Sequence, residues 1–423
     1  MDSTIAVGVF VAAFALIVSE RIHRTTVALI GAVIMIVVGL EEYGQEEAFR
    51  AIDLNVIFLL IGMMVIVNVL ARTGIFQWLS IRAAKSVRGH GLGIMFALSA
   101  VTAVASAFLD NVTTVILMAP VTLILADALA IRAAPLLVAQ ALVSNIGGAA
   151  TLVGDPPNIL IASHADLTFL QFATNMLPIS LITLVFSFGV LAWLARNDLR
   201  VADDARLGVM DLDESQVISD SRLLRVCLAV LSLTILGFVL HGVLDLEPAT
   251  IALAGAALIL LVTREDPHET LREVEWSTIF FFVGLFVMVG GLEAVGVLED
   301  LATNVADFSG GDVTTASLLI LWLSGAISGV VDNIPYTAAT LPVIEELNQE
   351  LGTGDVLWWA LAMGADFGGN LTIIGASANV LVANLAARGG QPITFWEFFR
   401  YGAPVTLMSL LLSSAYLWLR YLA

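Results

Sequence analysis

One cysteine, Cys227, and one lysine, Lys85, stand in a chain of 423 residues. The lone cysteine excludes an intrachain disulfide, a thiolate metal site and CxxC redox chemistry. The remaining basic residues are arginines, and nowhere do they gather into the clusters that hold nucleic acid, so no nucleic-acid partner is expected. The five histidines, at 23, 90, 164, 241 and 268, fall near helix ends or in loops, and no two have a metal-ligand spacing. No nucleophile–base pair stands out either, so the chain is not expected to be an enzyme and no cofactor is implied. Charge is sparse, at 13% of residues against about a quarter in soluble chains. What charge there is leans acidic, to a formal net −19. An acidic, lysine-poor surface suits high salt; GC-rich coding produces the same bias toward arginine.

In place of charge the chain has apolar length. Hydrophobic residues make up 59% of it, and its mean hydropathy is +0.95. Apolar stretches recur throughout, each long enough to cross roughly 30 Å of hydrocarbon. This is the pattern of an all-α polytopic membrane protein in a lipid bilayer. The first stretch, TIAVGVFVAAFALIVSE, lacks a basic n-region and a small-residue cleavage site and reads as a retained helix. Crossings are expected near 4–20, 25–40, 54–72, 134–164 and 177–197, then near 222–243, 247–263, 276–292, 355–387 and 401–421. Two further apolar pairs, 92–127 and 313–350, are interrupted by DNVTT and DNIPY and are expected to fold back as re-entrant hairpins. With ten crossings, every basic residue except Arg50 and Arg420 falls on one side. That bias places this side in the cytoplasm and both termini outside, in the plasma membrane.

The halves repeat. A shift of 222 positions carries Ile57, Phe58, Gly62 and Gly74 onto Ile279, Phe280, Gly284 and Gly296, and Ser106, Asp110, Asn111 and Pro120 onto Ser328, Asp332, Asn333 and Pro342. A shift of 221 carries Gly147, Gly148, Thr151, Gly154 and Asn158 onto Gly368, Gly369, Thr372, Gly375 and Asn379. Each unit has five crossings, and an odd number inserts the second copy upside down, as in secondary transporters. Residues 1–197 form the first inverted repeat, 198–221 an acidic cytoplasmic linker, and 222–423 the second repeat.

The repeated positions are polar breaks. An unpaired backbone group in hydrocarbon costs several kcal/mol, so a helix breaks only beside protein or a water-filled cavity. Each repeat breaks at its hairpin tip and again in mid-crossing, at SNIGGAATLVGDPPN (144–158) and ADFGGNLTIIGASAN (365–379). Asp110, Asp155, Asp332 and Asp366 all lie in these breaks, with Thr113, Thr114, Thr151, Thr337, Thr372 and the amides of Asn145 and Asn158 beside them. Intramembrane acids are costly and read by default as functional. The plainer reading is that Asp110 and Asp332 only cap the half-helices they precede. Asp155 corresponds to Ala376, and Asp366 to Asn145, so the repeat symmetry breaks at both. Glu41, Glu42, Glu46, Glu47, Glu345 and Glu346 read as solvated residues of end loops, and Asn55 and Asn68 as bonds between helices.

DNVTT, NIGGAATLVGDPPN, VDNIPYTAATLPV, GGNLTIIGASANV and VEWSTIFFFVGLFVM resemble the ion transporter superfamily, in the branch of ArsB, NhaD and the melanosomal P protein. The likeness covers nearly the whole chain. It implies a scaffold domain and a transport domain, a homodimer, and alternating access. In the divalent-anion–sodium symporters of this superfamily the tips read Ser-Asn-Thr and bind sodium and carboxylate; here Asp110 and Asp332 replace the serines. Carried over by position, Asp110, Asn111, Thr113, Asp155, Asn158, Asp332, Asn333, Thr337 and Asn379 line the site, and Asp110, Asn111, Asp155, Asp332 and Asn333 would hold Na⁺. Clustered carboxylates repel a dicarboxylate in a low dielectric and suit a cation and protons. Cation/proton antiport of the Na⁺/H⁺ type is therefore the expectation. Arsenite or antimonite efflux is the alternative, followed by sodium-coupled carboxylate transport; a channel is disfavoured by the hairpin plugs.

Overall fold

The computed structural model describes residues 2–19, 21–40, 43–202, 206, 208, 210, 214 and 217–423, and these form helices and no β-strand. The first half contains α1 (Asp2–Val18), α2 (Arg24–Val38), α3 (Gln45–Arg50), α4 (Leu54–Ala71) and α5 (Ile75–Ser86). It continues with α6 (Gly91–Ser106), α7 (Asn111–Ala128), α8 (Ala134–Gly148), α9 (Pro156–His164) and α10 (Phe169–Ala195). The second half runs in the same order: α11 (Ser221–Leu244), α12 (Pro248–Thr263), α13 (Pro267–Arg272), α14 (Trp276–Ala294) and α15 (Val297–Ser309). It ends with α16 (Val313–Ser328), α17 (Asn333–Leu351), α18 (Val356–Gly368), α19 (Ser377–Arg388) and α20 (Phe395–Leu417), then a π-turn at Trp418–Leu422.

Aspartates start many of these helices, because the first N–H groups of a helix have no partner within it. Asp53 accepts from the Asn55 and Val56 amides at 2.8 and 3.1 Å, and Asp220 from those of Arg222 and Leu223 at 2.7 and 3.1 Å. Proline stands near the start of α9, α12 and α13, where its missing N–H costs nothing.

Packing sorts the helices into two bundles. In the first, α4 lies along α12 and α2 along α14, with α1 and α11 outside them. Two glycines allow this approach. A Cβ on Gly62 would stand 2.7 Å from the Ala252 carbonyl carbon, and one on Gly284 would stand 2.6 Å from that of Ala28. Asn55 links the same pair of helices: it donates to Glu247 Oε2 at 2.9 Å and accepts from the Ala249 amide at 3.0 Å. In the second bundle α6 packs on α8, α16 on α18 and α10 on α20, while α7 lies on α19 and α9 on α17. Each of these pairings has its counterpart when the halves are exchanged. At the seam between the bundles that correspondence fails: α4 packs on α9, whereas α14 packs on α17.

Six helices are long and apolar enough to span a bilayer by length and composition: Gln45–Ala71, Asn111–Ala128, Phe169–Ala195, Ser221–Leu244, Trp276–Ala294 and Phe395–Leu422. The stretch expected as one crossing at 134–164 is two helices, α8 and α9, and that at 355–387 is α18 and α19. Four helices were not expected: α3, α5, α13 and α15, each too short for a span, with α15 and α16 meeting at 120°. Glu46 and Glu47 therefore lie in α3 and not in a loop, and Glu345 and Glu346 are exposed on α17, where Glu345 meets His164 at 2.6 Å. Glu41, Glu42 and much of the 198–221 linker lie outside the described residues. Within that linker Glu214 meets Lys85 at 2.5 Å, and the hydrogen bond from the ammonium holds the Glu214 carboxyl below the usual carboxylate range.

Candidate functional site

The two mid-helix breaks, 149–155 between α8 and α9 and 369–376 between α18 and α19, fold in the same way. Each turns back against the connection of its helix–turn–helix pair, α6–α7 or α16–α17. Room for this comes from glycine: a Cβ on Gly154 would lie 2.7 Å from the Ser106 carbonyl oxygen, and one on Gly375 would lie 3.0 Å from that of Ser328. The serines fasten the contact, Ser106 donating to the Ser144 carbonyl at 2.7 Å and Ser328 to the Ala365 carbonyl at 2.6 Å.

Unwinding frees carbonyls, and two asparagines take them up. Asn158 Nδ2 donates to the Gly148 and Thr151 carbonyls at 3.1 and 3.0 Å. Asn379 Nδ2 donates to those of Gly369 and Thr372 at 2.8 and 2.9 Å. Thr151 and Thr372 reach across to the carbonyls of Ala107 and Gly329. Four of the residues singled out from the sequence thus satisfy backbone groups that hydrocarbon would leave unpaired. Gly147 and its counterpart Gly368 lie where α8 and α18 touch Ala103 and Gly325.

At the centre the two halves meet on one carboxylate. Asn111, at the start of α7, donates to Asp155 Oδ2 at 2.6 Å; Asn333, at the start of α17, points at Asp155 Oδ1 from 3.5 Å. Asn111 Nδ2 also reaches Asn145 Oδ1 at 3.0 Å, and Asn145 Nδ2 donates to Asn370 Oδ1 at 2.9 Å and Asn379 Oδ1 at 3.1 Å. Asp155, Asn111, Asn145, Asn333 and Asn370 are all buried. Beside this chain of amides Asp366 is fully buried; its carboxyl meets the Asn158 side chain, and as a carboxylate neither of its oxygens finds a donor among the described residues. Asn111 Oδ1, Thr114 Oγ1, Asn158 Oδ1 and Thr337 Oγ1 are likewise buried without one. Orphaned buried polar atoms are expensive, and the unpartnered Asn111 Oδ1 beside Asp155 and Asn370 Nδ2 in the same chain of amides leave room for a cation or a proton to complete the bonding.

The four carboxylates are therefore not equivalent. Asp110 turns back onto its own helix, accepting from the Thr113 amide at 2.8 Å and the Thr113 hydroxyl at 2.5 Å. Asp332 accepts from the Ile334 amide at 3.0 Å, and also from Ser377 at 2.6 Å and Arg24 at 2.8 Å. The charges of Asp366, Asp332 and Asp110 all bear on Asp155, but among the described residues no three His, Cys, Asp or Glu side chains converge as a ligand set. A cation here would rest on carboxylate together with amide, hydroxyl and carbonyl oxygens.

Three participants escaped the sequence reading. Asn370 stands where the first repeat has Ala149, the same broken symmetry that singled out Asp155. Arg24 counted only as a cytoplasmic charge. Ser377 occupies the place of Pro156 and carried no signal of its own. Arg24, His23, Glu275, Asp332, Ser377 and Asn384 line a cavity of about 420 Å³ with apolar side chains of α1, α7 and α19.

The chain is similar to known transporters along its whole length. A family model described as "Citrate transporter" matches residues 14–364. An uncharacterized transporter of Mycobacterium tuberculosis is 49% identical, over 99% of this chain and 99% of its own. The P protein of Mus musculus is 32% identical over 97% of this chain, which spans 59% of that protein's length. Among solved structures, the YdaH transporter of Alcanivorax borkumensis superposes with a TM-score of 0.61 at 16% identity, covering 99% of this chain and 98% of its own. MtrF of Neisseria gonorrhoeae does so with 0.62 at 10%, covering 97% of each. These two likenesses speak for the fold, and the all-helical architecture agrees with it. The chain belongs to the citrate-transporter family and is a membrane transporter.

Proposed function

We propose that this transporter exchanges a small inorganic cation, Na⁺ or Li⁺, for protons. The observation that carries the reading is Asp155, held between the asparagines that open α7 and α17, with the fully buried carboxyl of Asp366 beside it. The carboxyl oxygens of Asp155 and Asp366, with the free amide oxygen of Asn111, suit a hard cation. A buried carboxylate that either holds the cation or takes a proton binds the two in competition, and competition at one site open to alternate sides is antiport. Two inverted repeats of five crossings, 1–197 and 222–423, would supply the two sides, with α6–α7 and α16–α17 re-entrant from opposite faces. The protein would act as a homodimer in the cell membrane with both termini outside.

In acid-interior proteoliposomes, added Na⁺ should discharge the pH gradient. Where protons compete, each unit fall in pH should weaken apparent Na⁺ affinity about tenfold for one proton and more for two. Arsenite should neither discharge the gradient nor inhibit. Na⁺ and Li⁺ leaving the gradient untouched would sink this reading, and arsenite movement would put efflux in its place. A second reading, sodium-coupled uptake of an organic anion, is favoured by the family's description and by Arg24 and His23 in a cavity of about 420 Å³; labelled citrate in the same vesicles decides it.

The inverted arrangement has its own test. Single cysteines at 90 and 130 should react with an impermeant maleimide from the cytoplasmic face, and those at 311 and 350 from outside. Reaction of all four from one face would mean the halves are not inverted.

A further inference from the structure

Arg24 opens α2 in the first bundle, whereas Asp332 and Ser377 open α17 and α19 in the second. Its Nη1 spans the seam and donates to Asp332 Oδ2 at 2.8 Å and Ser377 Oγ at 2.5 Å. Ser377 donates to the same Asp332 oxygen at 2.6 Å. The guanidinium lies over the Phe281 ring of α14, 5.1 Å from its centre, so the first bundle holds the arginine on a second side. Only 25% of the Arg24 side chain and 12% of the Asp332 side chain are exposed. Glu275 and His23 are the other charged or titratable groups on the wall of this cavity.

The other aspartate is placed differently. In the second half the place of Arg24, at the head of the corresponding helix, is taken by Pro248, and that of Ser377 in the first half by Pro156. Among the described residues Asp110 pairs with no cationic side chain; Thr113 takes up its carboxylate. The pair therefore stands on one side of a molecule whose helix pairings within the bundles repeat, and it stands at the seam, where α14 on α17 and α4 on α9 break the exchange of halves. Exchanging the halves describes a second arrangement, with α4 on α7 and α14 on α19, in which α17 has left α2 and Asp332 has left Arg24.

We propose that Arg24 is the coupling residue of the transporter: a tethered cation that occupies Asp332 in the arrangement seen here and that a cargo cation or proton must replace before the second bundle moves. The inference rests on the cation reading above. With Arg24 in place the empty carrier is neutral at Asp332 and at rest. Separation of the bundles without cargo would leave Asp332 charged and unpaired in a low dielectric, which disfavours empty return. A loaded or protonated Asp332 has no such penalty. Coupling then follows from which states can cross.

The test uses the full chain in proteoliposomes, with Cys227→Ala and a reporter Asn384→Cys in the cavity. Without Na⁺, Arg24→Gln should slow maleimide reaction at 384 about fivefold, as the population leaves this arrangement, while Arg24→Lys should stay within about twofold of the parent. Asp332→Asn removes the same pair from the other bundle and should slow the reaction equally, so the test survives if Arg24→Gln does not fold. In flux, Arg24→Gln should lower the half-saturating Na⁺ concentration about tenfold by removing the internal competitor. Unchanged reaction at 384 in Arg24→Gln and Asp332→Asn overturns the inference and leaves the cation reading standing where Na⁺ still moves. Slowed reaction in a parent that moves no Na⁺ supports the tether and overturns the cation reading.

Discussion

Asp155→Asn should yield a folded protein that transports about a hundredfold more slowly than the parent. The buried carboxylate stands between two amide donors, Asn111 Nδ2 at 2.6 Å and Asn333 Nδ2 at 3.5 Å. An amide at 155 turns an N–H toward one of the two asparagines, which must then rotate its own amide and give up its other bond, Asn111 that to Asn145, or stand N–H against N–H. A hydrogen bond to a charged group contributes about 1.5–3 kcal/mol, and each 1.4 kcal/mol is tenfold in an equilibrium. Losing one such bond together with the buried charge that the two asparagines share gives the expected factor. The variant should still fold, because the braces of the breaks, Asn158 and Asn379, do not involve residue 155. Flux within about threefold of the parent, at equal yield of monodisperse protein, would reduce Asp155 to a space-filling group.

A second large effect belongs to stability. Gly147→Ala and Gly368→Ala should each destabilise the protein by about 3 kcal/mol, at the high end for an added methyl group. A Cβ on Gly147 would stand 2.7 Å from Ala103 Cα, and one on Gly368 would stand 2.6 Å from Gly325 Cα. In both cases the obstacle is backbone, which cannot swing aside as a side chain does, so α6 must leave α8 or α16 must leave α18. Gly8→Ala and Gly189→Ala are the controls: nothing lies within 4 Å of a Cβ at either, and both glycines are helical, so each change should be neutral or stabilising by a few tenths of a kcal/mol. Thermal unfolding in detergent checks all four. Lost transport in Gly147→Ala at an unchanged unfolding temperature would mean that Gly147 contacts cargo and is more than a packing position.

The repeat and its polar breaks were legible because each depends on local chemistry. Paired glycines release a helix, aspartate or proline restarts it, and the same letters recur at a fixed distance. Asp155 and Asp366 stood out as departures from that recurrence, and both lie at the centre. Asp110 was legible only as a choice between site and cap, and its hydrogen bonds are those of a cap. The pair of Arg24 with Asp332 spans 308 positions and joins different bundles, and no periodicity records such a contact. The short helices α5 and α15 escaped because a reading built on spans of about twenty residues passes over amphipathic segments of 12 and 13. Asn370 was within reach, since the comparison that exposed Asp155 applies to it unchanged.

The crosswise packing of α4 on α12 and α2 on α14 also governs the order in which the protein can be made. A ribosome delivers α2 and α4 to the bilayer long before α12 and α14 exist. Until then the glycine faces at 62 and 28–31 have only lipid or one another to touch. The first half therefore cannot finish folding as it is made, and the first bundle forms only after most of the chain is inserted. A nascent first half is a waiting species, open to pairing with a second copy of itself through the surfaces its own later half will claim, and truncation after α10 should leave a product that dimerises or is degraded in place of a stable half-transporter.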